Sequence, residues 1–246
     1  MKIVTGSDDP AGMNMAYFIR NDFGMDVVEV EGHPVFAEHI EKTIRADENE
    51  LIVVLSKHSS EKKVRSLTVH PVGNFDTNDL GGEKFRMSYY NAKFARSILM
   101  NVHKYAQGMD YEVTYEATHH GPYSDNPIIF VEIGSTDVEY NDRDAGLVMA
   151  RSVNEAYEDD VEVLCGIGGL HYATKFTSLA MRENIAMGHI ASKYRINALS
   201  MEMLEEMKKK SIGCNGFVIE EKSFNSLYRK NLKENLDSLS YSYKFI

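Results

Sequence analysis

The chain has 246 residues, 43% of them hydrophobic, and a formal net charge of −10. This provides a sizeable core and excludes wholesale disorder, while the acidic balance excludes indiscriminate nucleic-acid binding. The longest apolar runs, "LIVVL" and "PIIFV", are far too short to span a bilayer, so no membrane role is expected.

In chain order, "KIVTGS" opens with a short β-type run. "PAGMNMAYFIRNDF" (10–23) follows as a helix, with Pro10 at a favourable early position. "DVVEVEG" (26–32) alternates like a strand, and "LIVVLS" (51–56) has the signature of a buried parallel strand. "SLTVH" (66–70) is another β-rich run. Phe94, Ile98, Leu99, Val102 and Tyr105 fall at helical spacing over 91–106. The runs 111–121 and 127–134 read as strands, 135–158 as a helix capped by Ser135 or Thr136, and 161–169 as a strand. Residues 196–210 form a late amphipathic helix with a basic end. Strands alternating with helices, with no linker or repeat, predict a single α/β domain over 1–246 around a mixed, mostly parallel sheet flanked by helices.

Two cysteines at unrelated spacing, Cys165 and Cys214, suit a reducing cytosol and exclude a cysteine-built zinc site. The N-terminal "MKIVTGSDD" resembles neither a signal nor a transit peptide, so a cytoplasmic location is expected. Acidic residues dominate 1–55 and 106–165, whereas 56–105 and 170–246 carry an excess of lysine and arginine. Such a chain is compatible with a phosphate-bearing ligand on one face, and equally with ordinary solvated faces.

Ligands of open α/β sheets sit beyond the carboxyl ends of the strands. His58, His70, His119, His120 and His171 all fall at the ends of predicted strands, as do Glu132 and Gly134. Neutral imidazole is both a zinc ligand and the usual general base near neutral pH. On a strand, His119 and His120 would face opposite sides, but "HHGP" predicts a turn that can bring both to one place. The backbone of "GIGG" (166–169) offers N–H groups for an anion or oxyanion; tight-turn glycines without a function fit the segment equally well. No GxSxG elbow or Walker lysine occurs, which removes covalent serine hydrolysis and ATP hydrolysis.

"SKHSS" (56–60), "LTVHPVGN" (67–74), "ATHHGP" (117–122), "FVEIGST" (130–136) and "GIGGLHYATKFT" (166–177) together resemble the motif series of the archaeal and plant type of D-aminoacyl-tRNA deacylase. The resemblance implies a fold like that of peptidyl-tRNA hydrolases and nucleoside phosphorylases. It also implies hydrolysis of the ester joining a D-amino acid to the 3′ end of tRNA, with zinc as cofactor. In that reading His119, His120, His171 and Glu132 are the catalytic or zinc-binding residues. His58, His70, Gly73, Asn74, Gly134, Gly168, Gly169, Tyr172, Lys57 and Lys175 contact the substrate, and Lys62, Lys63 and Arg65 are further phosphate contacts. The partner is the acceptor end of D-aminoacyl-tRNA, met by a monomer. The chain reads "GGLHYATK" where the family pattern often reads GGGHYAPR, and it has no tryptophan. A peptidyl-tRNA hydrolase or phosphorylase activity, or a non-catalytic RNA-binding module, are the alternatives.

Overall fold

The predicted strands separate into two principal sheets. In the computed structural model, which describes residues 1–158 and 160–246, β1 (Lys2–Gly6) leads into α1 (Pro10–Asn21) and β2 (Val27–Val30). Asp9 caps α1 by accepting from the Gly12 N–H, and Pro10 occupies the first turn, where a missing N–H costs nothing. Then come the short α2 (Ile40–Thr43), β3 (Ile52–Ser59), β4 (Ser66–His70) and the two-residue strands β5 (Gly73–Asn74) and β6 (Arg86–Met87). Next are α3 (Ala92–Tyr105), β7 (Glu112–Tyr115), β8 (Ile128–Ser135), α4 (Asp137–Tyr140), α5 (Arg143–Asn154) and β9 (Glu162–Ile167). The rest is α6 (Thr174–Arg182), β10 (Ile185–Ala191), α7 (Met201–Lys210), β11 (Cys214–Ile219), α8 (Ser226–Ser238) and β12 (Ser242–Phe245).

One sheet runs β2-β1-β3-β8-β4-β7 and the other β10-β9-β11-β12. Every pair is parallel except β4 with β8, and in the separate β5–β6 ribbon, so the expected mixed, mostly parallel sheet with helical flanks is present, divided in two. The expected helix over 135–158 is two helices. Thr136 forms a capping box with Glu139, and Asp142 caps a new helix at Arg143, because Asn141–Asp142 favours a fresh start over continuation. The run 111–121 keeps strand geometry only through Tyr115.

Register decides what the central strands present. Glu132 on β8 lies opposite Ser56 of β3 and Thr68 of β4, His58 opposite Gly134, and His70 opposite Phe130. Residues two apart share a face, so His58, His70 and Glu132 share one. Lower on that face Ile52, Val54, Ile128 and Phe130 pack under Val35, Ile40 and Ile44. On the opposite face Val53, Leu55, Val131 and Ile133 pack with residues of α1, α3 and α5. Each fully buried aliphatic side chain there contributes about 1.5–3 kcal/mol, which anchors the strands whose last residues turn polar.

Residues 116–120 join the two sheets. Glu116 bridges to Tyr172, Ala117 N–H donates to His171 O at 2.8 Å, Thr118 N–H donates to Ile190 O at 2.8 Å, and His119 bridges to Val72.

Candidate active site

Where β3, β4 and β8 end, two buried carboxylates face four imidazoles. Glu132 is 2% exposed; its Oε2 lies 3.4 Å from His58 Nδ1 and 3.5 Å from His70 Nε2. Glu116, fully buried, lies 3.2 Å from His58 Nδ1, 3.6 Å from His119 Nε2 and 2.7 Å from His171 Nε2. Gly134 makes room for this: a Cβ there would meet Ser66 Oγ at 2.7 Å and the His58 ring at 2.9 Å.

His119 and His120 are neighbours in sequence, yet their rings stand 4.2 Å apart and both line the same cavity. His120 has φ +43°, a left-handed conformation that costs a non-glycine residue of order 1 kcal/mol. That conformation defeats strand alternation. The expected turn at "HHGP" is present, and it admits both rings. His119 Nδ1–H donates to Ala117 O at 2.8 Å, His120 Nδ1–H to Gly121 O, and His70 Nδ1–H to Pro71 O at 3.1 Å. In the neutral form of each ring the bond leaves the lone pair on Nε2; in His70 that same nitrogen, 3.5 Å from Glu132, is where a second proton adds.

The electrostatics divide the histidines. Burial lowers the pKa of His58 and of His70, but the adjacent Glu132 carboxylate, with Glu116 adding to both, outweighs burial and raises them. Burial, reinforced by neighbouring histidines, holds His119 well below its ordinary value and brings His120 to about 4. Burial also pushes Glu116 and Glu132 upward, yet their imidazole partners prevail and keep both carboxyls below the usual range. The site therefore holds two carboxylates, two imidazolium-prone rings and two rings held neutral.

Two cavities meet at this cluster. One of about 300 Å³ touches Lys57, His58, Ser59, Glu132, His119, His120 and His171; another of about 270 Å³ includes Gly73, Asn74, His119, His120 and His171. Phe36 and Leu80, 59% and 58% exposed, stand at the first.

The structure redistributes the expected roles. Donor atoms of His70, His119 and His120 lie within 4.8 Å of one another, as do those of His58, Glu116 and His171, and those of His70, Glu116 and Glu132. The expected set of His119, His120, His171 and Glu132 is thus split between clusters. His70, fully buried and lining neither cavity, is removed from substrate contact and placed with the metal-capable rings. Gly134 is likewise internal. Gly168 N–H donates to Ala191 O and Gly169 N–H to Ser223 Oγ, both at 2.8 Å, so neither is free to cradle an oxyanion. Lys175 pairs with Glu220 and lines neither cavity. Tyr172 holds His58 from the side, its ring 5.5 Å away and its hydroxyl 3.0 Å from Ser66 Oγ, rather than facing a cavity. Arg65 is engaged by Asp110, Glu139 and Asp142 and stacked on Tyr111, so its charge is already matched by three carboxylates. Lys57, Gly73 and Asn74 do reach the cavities.

Sequence reasoning missed Glu116, one residue ahead of the quoted "ATHHGP"; a carboxylate directly after the β-rich "EVTY" was the available signal. It also missed His33, which lines the first cavity 3.7 Å from the buried Asp9 carboxylate.

Histidines oriented by buried carboxylates, at the carboxyl edge of a mixed α/β sheet and beside an open cavity, define a hydrolytic enzyme of the acid–base or metal-assisted class. No helix among the described residues is long and apolar enough to cross a membrane. The chain belongs to the D-aminoacyl-tRNA deacylase family, whose model matches residues 45–244. A D-aminoacyl-tRNA deacylase of Thermoplasma acidophilum is 32% identical over 97% of this chain and 96% of its own length. One of Ignicoccus hospitalis is 33% identical over 94% of this chain and 93% of its own. A crystal structure described as that of a conserved protein of unknown function superposes with a TM-score of 0.91 at 28% identity, covering 99% of this chain and 94% of that one. The family is one of hydrolases acting on the ester bond of aminoacyl-tRNA, so the phosphorylase and binding-module alternatives fall away.

Proposed function

We propose that D-aminoacyl-tRNA hydrolysis by this chain runs at the Glu116–Glu132 histidine cluster, with zinc as cofactor and His70, His119 and His120 as its ligands. The chain would act as a cytoplasmic monomer on the acceptor end of tRNA. The observation that carries the reading is the set of three Nδ1–H groups donated to carbonyls, which leaves Nε2 as the ligand atom of three rings whose donor atoms lie within 4.8 Å of one another. Metal-ligating histidines characteristically donate their other N–H in this way. His70 Nε2 also has no hydrogen-bond partner among the described residues, an orphan that a cation satisfies. Zinc bound there supplies Lewis acidity toward the ester carbonyl and lowers the pKa of a water.

The remaining work belongs to the chain. His171 is the general base: its Nε2–H points to Glu116, which orients the ring and stabilises its cationic form, and Nδ1 takes a proton from water. The same ring returns that proton to the departing ribose oxygen. His58 stands in the cavity with Nδ1 toward both carboxylates and Nε2 without a partner, so its charged form offers an N–H to the developing oxyanion. Glu132 positions His58 and His70. Lys57 beside the cavity meets a phosphate, and exposed Phe36 offers a face for the terminal base.

The test uses D- and L-aminoacyl-tRNA with the native and the demetallated protein. The expected result is release of the D-amino acid with the L-ester spared, zinc in the native protein, and loss of rate on chelation that zinc restores. Cleavage of neither ester overturns the assigned reaction. An unchanged rate without metal overturns the zinc centre and leaves the histidines as acid–base groups alone.

A further inference from the structure

Beside the catalytic cavity lies a third, of about 440 Å³, which shares Phe36 with it and is lined also by His39, Asn78, Gly81, Gly82 and Tyr123. At its edge His39, Glu41 and Asp125 each place a donor atom within 4.8 Å of the other two. We propose that these three residues form a second cation site, separate from the histidine cluster, which takes a divalent metal ion with mixed nitrogen and oxygen ligands.

Proximity alone would not carry this, since exposed carboxylates often gather without a metal. Glu41 supplies the independent observation. It is only 7% exposed, its Oε1 faces His39 Nδ1 at 3.2 Å, and its Oε2 has no hydrogen-bond partner among the described residues. A buried carboxylate oxygen left unsatisfied is unfavourable, and a cation is the ligand that removes the penalty. Asp125 is held in place from its other side, because Tyr123 OH donates to Oδ1 at 2.8 Å while Arg86 and Lys210 direct their charges at the Tyr123 oxygen. One imidazole and two carboxylates suit zinc or manganese better than the oxygen-only preference of calcium or magnesium.

The site's place in the fold gives it a purpose. Glu41 lies on α2, five residues after Phe36 and two after His39, and Asp125 follows His120 by five residues in the chain. An ion there ties the segment that covers the β3–β8 face to the loop leaving the catalytic histidines.

Metal content by elemental analysis, and thermal stability with added ZnCl₂ or MnCl₂, test the assignment. The native chain is compared with Asp125→Asn, His39→Ala and the double variant His119→Ala/His120→Ala. Asp125→Asn and His39→Ala should each bind about one metal equivalent fewer per chain and lose part of the metal-induced rise in Tm. The double variant should keep that equivalent, whether or not the central cluster is a zinc site, which separates this proposal from the previous one. If His39→Ala fails to fold, the exposed Asp125→Asn decides. Metal content and Tm response equal to those of the native chain in a folded Asp125→Asn protein overturn the site.

Discussion

His189 and His70 are equally buried, and only one of them belongs to the carboxylate–imidazole cluster. His189 sits between Thr118 Oγ1 at 3.1 Å and Ser88 O at 3.0 Å, with both ring nitrogens used, and burial pushes its pKa down to about 3. His70 uses one nitrogen on Pro71 O and keeps the other without a hydrogen bond, 3.5 Å from a carboxylate. Burial therefore does not separate the two histidines; an unused ring nitrogen does. The contrast extends to neighbours. His189 ties Thr118 to the segment carrying Ser88 through neutral partners, whereas the cluster concentrates carboxylates and imidazoles whose charges depend on one another.

The largest test of that contrast is rate. His171→Ala should lower the deacylation rate by about 10²–10⁴-fold while binding of D-aminoacyl-tRNA persists, measured by single-turnover hydrolysis and by filter binding. His189→Ala should not approach such a loss. Next comes stability. Glu132→Ala takes the adjacent carboxylate from buried His70 and leaves His58 with Glu116 alone, and should cost about 3–5 kcal/mol in a denaturant titration. His189→Ala should cost about 1–3 kcal/mol, the penalty of unsatisfied neighbours, without changing zinc content.

The pH dependence has opposite sign in the two places. His189 has a depressed folded pKa, so the unfolded chain takes up its proton first. Stability from that residue is present above about pH 6.5 and is lost as the pH falls toward 3, by up to about 1.4 kcal/mol per pH unit. His58 and His70 have raised folded values; what they contribute is full below about pH 6.5 and is lost as the pH rises through their folded pKa. Urea titrations of the native chain and His189→Phe across pH 4–6.5 should show the shallower slope in the variant; equal slopes would remove the His189 account. The smallest effect belongs to the cations. Lys57→Ala should reduce the salt slope of tRNA binding by about 0.7–0.9, and Arg65→Ala, whose charge is already matched by three carboxylates, should leave it unchanged.

What the sequence made legible was what depends on local pattern. The short apolar runs ending in histidine at 58 and 70 and in "EIGS" are strands ending at the site, because alternation and turn chemistry are local properties. What it hid depends on distant residues. The N–H groups of Gly168 and Gly169 are consumed by Ala191 and Ser223, so no reading of "GIGG" alone could find them occupied. His70 loses its surface only when the rings of His119, His120 and Phe130 close over it, and Glu116 becomes central because its strand meets His171 from the other sheet. The strands β10, β11 and β12 carry no clear sequence signal. "IAMGHIA" and "CNGFVI" interrupt their apolar runs with glycine, histidine or asparagine, which weakens a period-two signal.

The crossing at residues 116–120 also sets an order of assembly. Glu116 meets Tyr172 and Thr118 meets Ile190 across long stretches of chain, and these pairings need β9 and β10 already beside the first sheet. Contacts of such sequence separation form late and slowly, on the millisecond-to-second scale for sheet-rich chains. During refolding, helix and strand signals should therefore recover before deacylation does. A chain without β9 and β10 would lack the partners that seat Glu116 and Thr118, so an unfinished molecule is an inactive one.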